Sequence, residues 1–242
     1  IVATAESGVT ENPCIHIWGI TNLEPFRVLK TNHIQGILSL AFSRDGSFLV
    51  SLGCDQKSRY FIKILFHKLI IHLLFASIQV TNWKSEEIVA FRFTGFNSPI
   101  ADIVMNPYNK YEFATCGYKE ISIWSIQGMT MERTTCLDLP PKPDGRVPFF
   151  TCLAYMNYHV SIVFSSWLIR FAKLVGDVVE HDLIVGNQLG DIGLVTCKKY
   201  ITLKENAHSK MINNLKITDC LPDVPFTSLI TFVLTSPFDR KS

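Results

Sequence analysis

Residues 100–124 read IADIVMNPYNKYEFATCGYKEISIW, and this stretch decides the fold. Residues 100–105 and 111–116 are two stretches with the composition of β-strands. They are joined by the turn Asn-Pro-Tyr-Asn at residues 106–109, as in a hairpin. A second turn at residues 117–120 leads into Ile-Ser-Ile-Trp, which ends at Trp124. The stretch therefore predicts three consecutive antiparallel strands.

The same pattern recurs along the chain. Residues 15–18 (IHIW) and 78–83 (IQVTNW) are also runs that end in tryptophan. Trp83 and Trp124 lie about 41 residues apart, within the roughly 40 to 45 residues of one four-stranded propeller blade. A fourth, weaker unit has Val195 at the tryptophan position, and a fifth, incomplete unit follows it.

The second unit opens with the clearest hairpin. Leu38, Leu40 and Phe42 alternate with small or polar residues, as the inward side chains of a half-buried strand do. An Asp-Gly pair at residues 45–46 favours a tight turn, and residues 48–53 supply the returning strand.

The intervals from Trp18 to Trp83 and from Trp124 to Val195 are too long for one blade. They indicate inserts at about residues 58–77 and 160–180. Residues 60–78 are almost wholly apolar, but four polar side chains, Lys63, His67, Lys68 and His72, follow helical spacing. These charges argue against a membrane span and allow an amphipathic helix instead. Both inserts could alternatively be translated intron sequence, because their removal restores nearly regular units.

These units resemble WD-repeat β-propellers, most closely those of echinoderm microtubule-associated protein-like proteins and related axonemal proteins, over about residues 1–57, 78–159 and 181–235. The resemblance implies an all-β fold, a partial WD-repeat propeller of about four to five blades, as a single domain over residues 1–242. We also expect the chain to be part of a larger propeller. By resemblance its partners are proteins, namely tubulin, microtubules or axonemal proteins, in the cytoplasm, the cytoskeleton or a cilium.

WD-repeat blades use His, Ser or Thr, Asp and Trp in a buried hydrogen-bonded chain. By resemblance, His33, Ser51, Asp55 and Trp83 form this structural network in the second unit. In the third unit the matching polar residues are replaced, so we expect apolar packing around Trp124.

The sequence contains no motif of an active site. It has no phosphate-binding glycine loop, no zinc-protease or serine-hydrolase motif, and seven cysteines without zinc spacing. We therefore predict no catalytic residues, no cofactor and no metal. A net charge of +2 also gives no indication of a nucleic-acid partner.

Aromatic residues around the turns of the third unit are candidates for partner contacts. Tyr108 and Tyr118 lie in turns, and Lys119 adds a positive charge beside them. Tyr111 and Phe113 alternate with a glutamate and are expected to point inward. The proline-rich residues 128–148 are predicted to form a surface loop.

The sequence thus favours a non-catalytic propeller scaffold for protein–protein interaction in a microtubule or axonemal assembly. Two alternatives stay open. One is a WD-repeat adaptor of another multiprotein complex, and the other is a protein associated with a membrane through residues 60–78.

Overall fold

The computed structural model describes residues 1–6, 12–21, 24–55, 75–94, 99–139, 141–142, 144–155, 182–196, 199–212 and 214–215. The second predicted insert and most of the first lie outside these residues, as does most of the predicted fifth unit. Residues 75–77, which we assigned to the end of the first insert, belong to a strand. No helix that could cross a membrane occurs in the described part of the chain.

Within the residues that the structure describes, fifteen strands form four antiparallel sheets, so the all-β prediction is confirmed. The first sheet has the order β1 (Val2–Ala5), β2 (Cys14–Trp18), β3 (Pro25–Lys30), and the second β4 (Ile37–Phe42), β5 (Leu49–Asp55), β6 (Phe75–Asn82), β7 (Glu87–Phe93). The third comprises β8 (Ile100–Met105), β9 (Glu112–Gly117), β10 (Glu120–Gln127), β11 (Thr130–Asp138), and the fourth β12 (Phe150–Tyr155), β13 (Leu183–Asn187), β14 (Ile192–Thr196), β15 (Lys199–Lys204).

The chain divides into two compact units, Ile1–Asp138 with the first three sheets and Leu139–Ser242 with the fourth. The expectation of a single propeller domain over residues 1–242 stays a prediction.

The second sheet is the middle layer of the first unit, and its strands bury side chains on both faces. On β5, Val50 and Leu52 pack toward the third sheet, whereas Leu49 packs toward the first. Because successive side chains of a strand point to opposite faces, a strand between two sheets reads as a nearly continuous apolar run. The layer shared with the third sheet includes Val50, Leu52, Ile78, Val80, Ala90, Ile103, Met105, Phe113, Trp124 and Met131.

Three sequence expectations differ from the structure. On β4 the buried side chain is Ile37 and Leu38 is 53% exposed, because the pairing of β4 with β5 shifts register there. Phe113 is fully buried as expected, but Tyr111 lies before β9 and is 48% exposed. Residues 130–138 of the predicted loop form β11, whose side chains are mostly exposed.

The second of the two compact units, Leu139–Ser242, has its own small core. An ion pair with a buried carboxylate fixes the segment that precedes β12. Asp191, in the turn between β13 and β14, is 1% exposed and lies 2.7 Å from the Nζ atom of Lys142. The side chain of Asn187 and the backbone N–H of Asn206 also donate to this carboxylate, at 3.0 and 2.9 Å. Burial alone would raise the pKa of Asp191, but these hydrogen bonds and the ammonium outweigh it and lower that pKa.

Candidate functional site

The turn between β4 and β5 is fixed by its own side chains. Asp45 Oδ1 accepts from the Ser47 amide at 3.0 Å, from the Ser47 hydroxyl at 2.7 Å and from the Ser43 hydroxyl at 2.7 Å. Gly46 takes the positive φ of 64° that this turn requires. The hydrogen bonds from Ser47 and Ser43 hold the pKa of Asp45 far below its usual range, so this carboxylate is ionised at neutral pH.

The turn between β8 and β9 is fixed in the same way by an asparagine. Asn106 is 1% exposed, and its Oδ1 accepts from the backbone N–H groups of Tyr108 and Asn109 at 2.8 and 3.3 Å. Its Nδ2 donates to Glu112 at 2.6 Å. Asn109 in turn accepts from the backbone N–H of Tyr111 at 3.0 Å. The side chains of both turns are therefore presented from a rigid backbone.

These two turns meet, because β4 and β8 lie side by side in neighbouring sheets. Lys110 Nζ lies 3.1 Å from Asp45 Oδ2, and the Arg44 guanidinium lies 5.9 Å from the centre of the Tyr108 ring. Lys110 also lies 5.3 Å from the Tyr111 ring centre. The turns enclose an open cavity of about 270 Å³, the hairpin cleft, lined by Arg44, Asp45, Asn106, Pro107, Tyr108 and Lys110.

The two cations of the hairpin cleft differ in their partners. Lys110 forms an ion pair with Asp45, which raises the pKa of that lysine. The Arg44 guanidinium lies 5.9 Å from the centre of the Tyr108 ring and forms no ion pair with any carboxylate in the described ranges. Arg44 is therefore the cation of the cleft that can bind an external anion without losing a partner.

The predicted contact residues do not form one surface. Tyr108 lies in the hairpin cleft, whereas Tyr118 and Lys119 lie in the turn between β9 and β10, at the opposite end of β9. A strand of six residues spans about 20 Å. Their role in partner contact stays a prediction, and it now concerns two separate surfaces.

Sequence reasoning missed Arg44 and Lys110 as members of this cleft, and it missed Tyr111 as an exposed ring beside Lys110. A signal for them existed, because Arg44 and Lys110 occupy the corresponding hairpin turns of two successive repeats. Aligning the turns as well as the strands of the repeats would have placed these residues side by side.

The structure brings together two members of the predicted blade network. His33 is buried, with Nε2 2.8 Å from the Ser51 hydroxyl and Nδ1 2.6 Å from the Ser77 hydroxyl. The backbone of Asp55 ends β5, but its side chain is outside the described set. Trp83 does not join His33, since its indole N–H donates to the carbonyl of Gly46 at 2.9 Å.

Strand register explains the position of Trp83. In the third sheet the Trp124 indole donates to the Thr115 hydroxyl at 2.9 Å, and Thr115 pairs with the residue two before Trp124. In the second sheet, Ser51 is paired with Gln79 on β6, so the position equivalent to Trp124 is Thr81. Trp83 lies one residue beyond β6 and packs between the first and second sheets instead.

The same indole–hydroxyl pair occurs once more, in the first sheet. The Trp18 indole donates to the Thr4 hydroxyl at 2.6 Å, with the same register offset. In the fourth sheet both positions are apolar, with Val195 for the tryptophan and Val185 for the hydroxyl residue. The four sheets are therefore variants of one unit.

Among the described residues, no three His, Cys, Asp or Glu side chains gather as a metal site would require. The prediction that the chain is not an enzyme rests on the sequence and stays a prediction.

No protein-family model matches the chain. Mouse cilia- and flagella-associated protein 44 is 24% identical over 124 residues, which is 51% of this chain and 6% of that protein, so the chain spans only a small part of this relative. The propeller domain of Cps50 (Swd1) from Myceliophteria thermophila has a TM-score of 0.54 at 15% identity, over 90% of this chain and 62% of that one. Sqt1 of Chaetomium thermophilum, bound to the N-terminus of ribosomal protein L10, has a TM-score of 0.55 at 12% identity, over 91% and 50%.

These structural likenesses confirm the fold prediction, and the chain is a partial WD-repeat β-propeller whose four sheets are blades. The finer resemblance to echinoderm microtubule-associated protein-like proteins stays a prediction.

Proposed function

We propose that this chain is a non-catalytic β-propeller scaffold for protein–protein interaction in a microtubule or axonemal assembly. The observation that carries the proposal is the hairpin cleft, where exposed aromatic and cationic side chains lie on two rigid turns. The corresponding location is the cytoplasm and the cytoskeleton, including a cilium or flagellum.

The chemistry of the cleft suits a protein partner. Tyrosine and arginine dominate the binding energy of protein interfaces because they combine a large contact area with directional hydrogen bonds. Tyr108 and Tyr111 are 40% and 48% exposed, so an incoming chain can cover both rings. Since the turns are fixed by Asp45 and Asn106, little backbone entropy is lost on binding.

The axonemal part of the proposal is supported by sequence. The 124 matched residues connect this chain with a mouse protein whose name places it in cilia and flagella. The repeats themselves resemble those of microtubule-associated propellers. The alternative of an adaptor for another complex uses the same cleft with a different partner.

Cosedimentation tests the proposal. We expect the chain to pellet with microtubules, and we expect a double Arg44→Ala, Tyr108→Ala variant to pellet several-fold less. The matched control is Phe26→Ala with Lys30→Ala, which removes an exposed aromatic ring and an exposed cation on β3, outside the cleft. Absence of the wild-type chain from the pellet would remove the microtubule assignment and favour the adaptor.

A further inference from the structure

We propose that the hairpin cleft binds an acidic peptide segment of its partner, with one carboxylate of that segment paired to Arg44. This inference rests on the proposed scaffold function, because it names the chemistry of the partner at that same surface.

The first step of the argument concerns the guanidinium of Arg44. Its Cζ atom lies 5.9 Å from the centre of the Tyr108 ring, and the residue is exposed. A carboxylate matches the N–H edge of a guanidinium with two parallel hydrogen bonds, the strongest geometry available to an arginine. Arg44 is exposed and forms no ion pair within the described residues, so a partner's carboxylate displaces no internal one.

The second step concerns Asp45, which decides where an acidic partner binds. This carboxylate uses one oxygen for its own turn and the other for Lys110, at 3.1 Å. It stays ionised at neutral pH, because hydrogen bonds from Ser47 and Ser43 lower its pKa. Asp45 thereby offsets the positive charge of Lys110, and its own negative charge repels a second carboxylate from the lysine. That carboxylate is left to pair with Arg44.

The third step concerns the aromatic rings near Lys110. The Lys110 ammonium lies 5.3 Å from the centre of the Tyr111 ring and 5.8 Å from that of Phe48, and Tyr108 lines the cleft with Lys110. Tyr108 and Tyr111 are both exposed. These rings supply contact area for the backbone and the methylene groups of an extended acidic chain. The cleft thus combines one available cation with an aromatic surface.

The test uses the 242-residue chain and a fluorescein-labelled octaglutamate peptide, with binding measured by fluorescence anisotropy at low salt. We expect Arg44→Ala to weaken binding about tenfold, and Arg44→Lys to weaken it less, because a lysine keeps the charge but loses the fork. Lys30→Ala is the control, since it removes one exposed positive charge on β3, outside the cleft. Equal affinities for Arg44→Ala and Lys30→Ala would overturn the inference.

A gain of affinity gives a second readout. In Asp45→Asn the amide oxygen still accepts from Ser47, so the turn is kept while Lys110 becomes available. We expect binding of octaglutamate to tighten about threefold, because a repelling charge is removed. Weaker binding by a variant with an unchanged unfolding midpoint would contradict the role given to Asp45.

Two further arms identify the anion. A neutral Gly-Ser octapeptide should not bind, and binding equal to that of octaglutamate would overturn the acidic partner. The same neutral peptide with one phosphoserine should compete poorly, and stronger competition than by octaglutamate would replace the carboxylate by a phosphate.

The inference and the proposed function fail separately. Octaglutamate binding that depends on Arg44, without pelleting by microtubules, would remove the microtubule assignment and leave the inference intact. Pelleting that is unchanged in Arg44→Ala, together with no binding of octaglutamate, would overturn the inference and leave the microtubule-binding scaffold.

Discussion

The hydroxyl of Thr115 is the acceptor for the indole of Trp124, and both residues are 2% exposed. Replacing Thr115 with valine keeps the shape but leaves the indole N–H buried without an acceptor. We expect Thr115→Val to lower the free energy of unfolding by about 1–3 kcal/mol. Urea unfolding followed by tryptophan fluorescence measures this change.

Thr4→Val is the matched control, because Thr4 accepts from Trp18 in the same register but on an exposed strand. There water can replace the lost hydroxyl, and we expect a change of about 0.5 kcal/mol or less. Equal losses in the two variants would show that burial is not what makes the Thr115 hydrogen bond important.

At the level of single residues, the sequence predicted the residue types of the blade network better than their positions along the strands. His33 and Ser51 lie within hydrogen-bond distance, whereas Trp83, which was assigned to the network by resemblance, lies two residues beyond Thr81, the position equivalent to Trp124. The sequence alone does not show whether Trp83 falls within β6 or just after it. Arg44 and Lys110 were missed because their contact depends on how two sheets pack side by side.

At the level of elements, the sequence predicted the earlier strands of each sheet and missed the last strand of each. β3, β7, β11 and β15 end the sheets, and most of their side chains are exposed or half-buried. β11 carries polar residues on both faces, so it lacks the period-2 apolar pattern from which a strand is recognised. It was assigned to a loop because residues 128–148 are rich in proline, but all four prolines follow β11.

The ion pair of Asp191 with Lys142 connects the proline-rich segment to the β13–β14 turn. Because the folded state lowers the pKa of Asp191, its stabilising contribution is complete above the unfolded pKa of about 3.9 and is lost as pH falls through the folded pKa. We therefore expect the wild-type chain to lose stability steeply below about pH 4, and Asp191→Asn to lose less over the same range. Thermal unfolding monitored between pH 7 and pH 2 measures both slopes.

Asp144→Asn serves as the control for this prediction. Asp144 also has a lowered pKa, from Arg146, but this pair is exposed and water screens it. Its acid slope should match that of the wild-type chain. A wild-type slope in Asp191→Asn as well would mean that the buried pair does not control acid stability.

At the level of the whole molecule, the first sheet differs from the third in having an exposed apolar face. Its residues Val2 and Val28 are 47% and 49% exposed, beside the Trp18 ring. In the third sheet the equivalent face, with Trp124, is covered by the second sheet. We expect the isolated chain to self-associate through this face as its concentration rises. The variant Val28→Lys should shift the equilibrium toward the monomer. Light scattering after size exclusion measures both.

Leu203→Lys is the comparison variant, because Leu203 is a similarly exposed apolar residue, 48% exposed, on β15. It should leave the association curve unchanged. Identical improvement in both variants would point to general solubility rather than to the face of the first sheet.

The side chains that shape the two turns of the hairpin cleft, Asp45 and Asn106, bond to backbone within their own hairpins. Arg44 and Tyr108 contribute none of those capping bonds from their side chains, so evolution or an engineer can exchange them without rebuilding the hairpins. The recognition proposed for this place is therefore modular, and we expect a library randomised at these two positions to yield new ligand preferences on an unaltered framework.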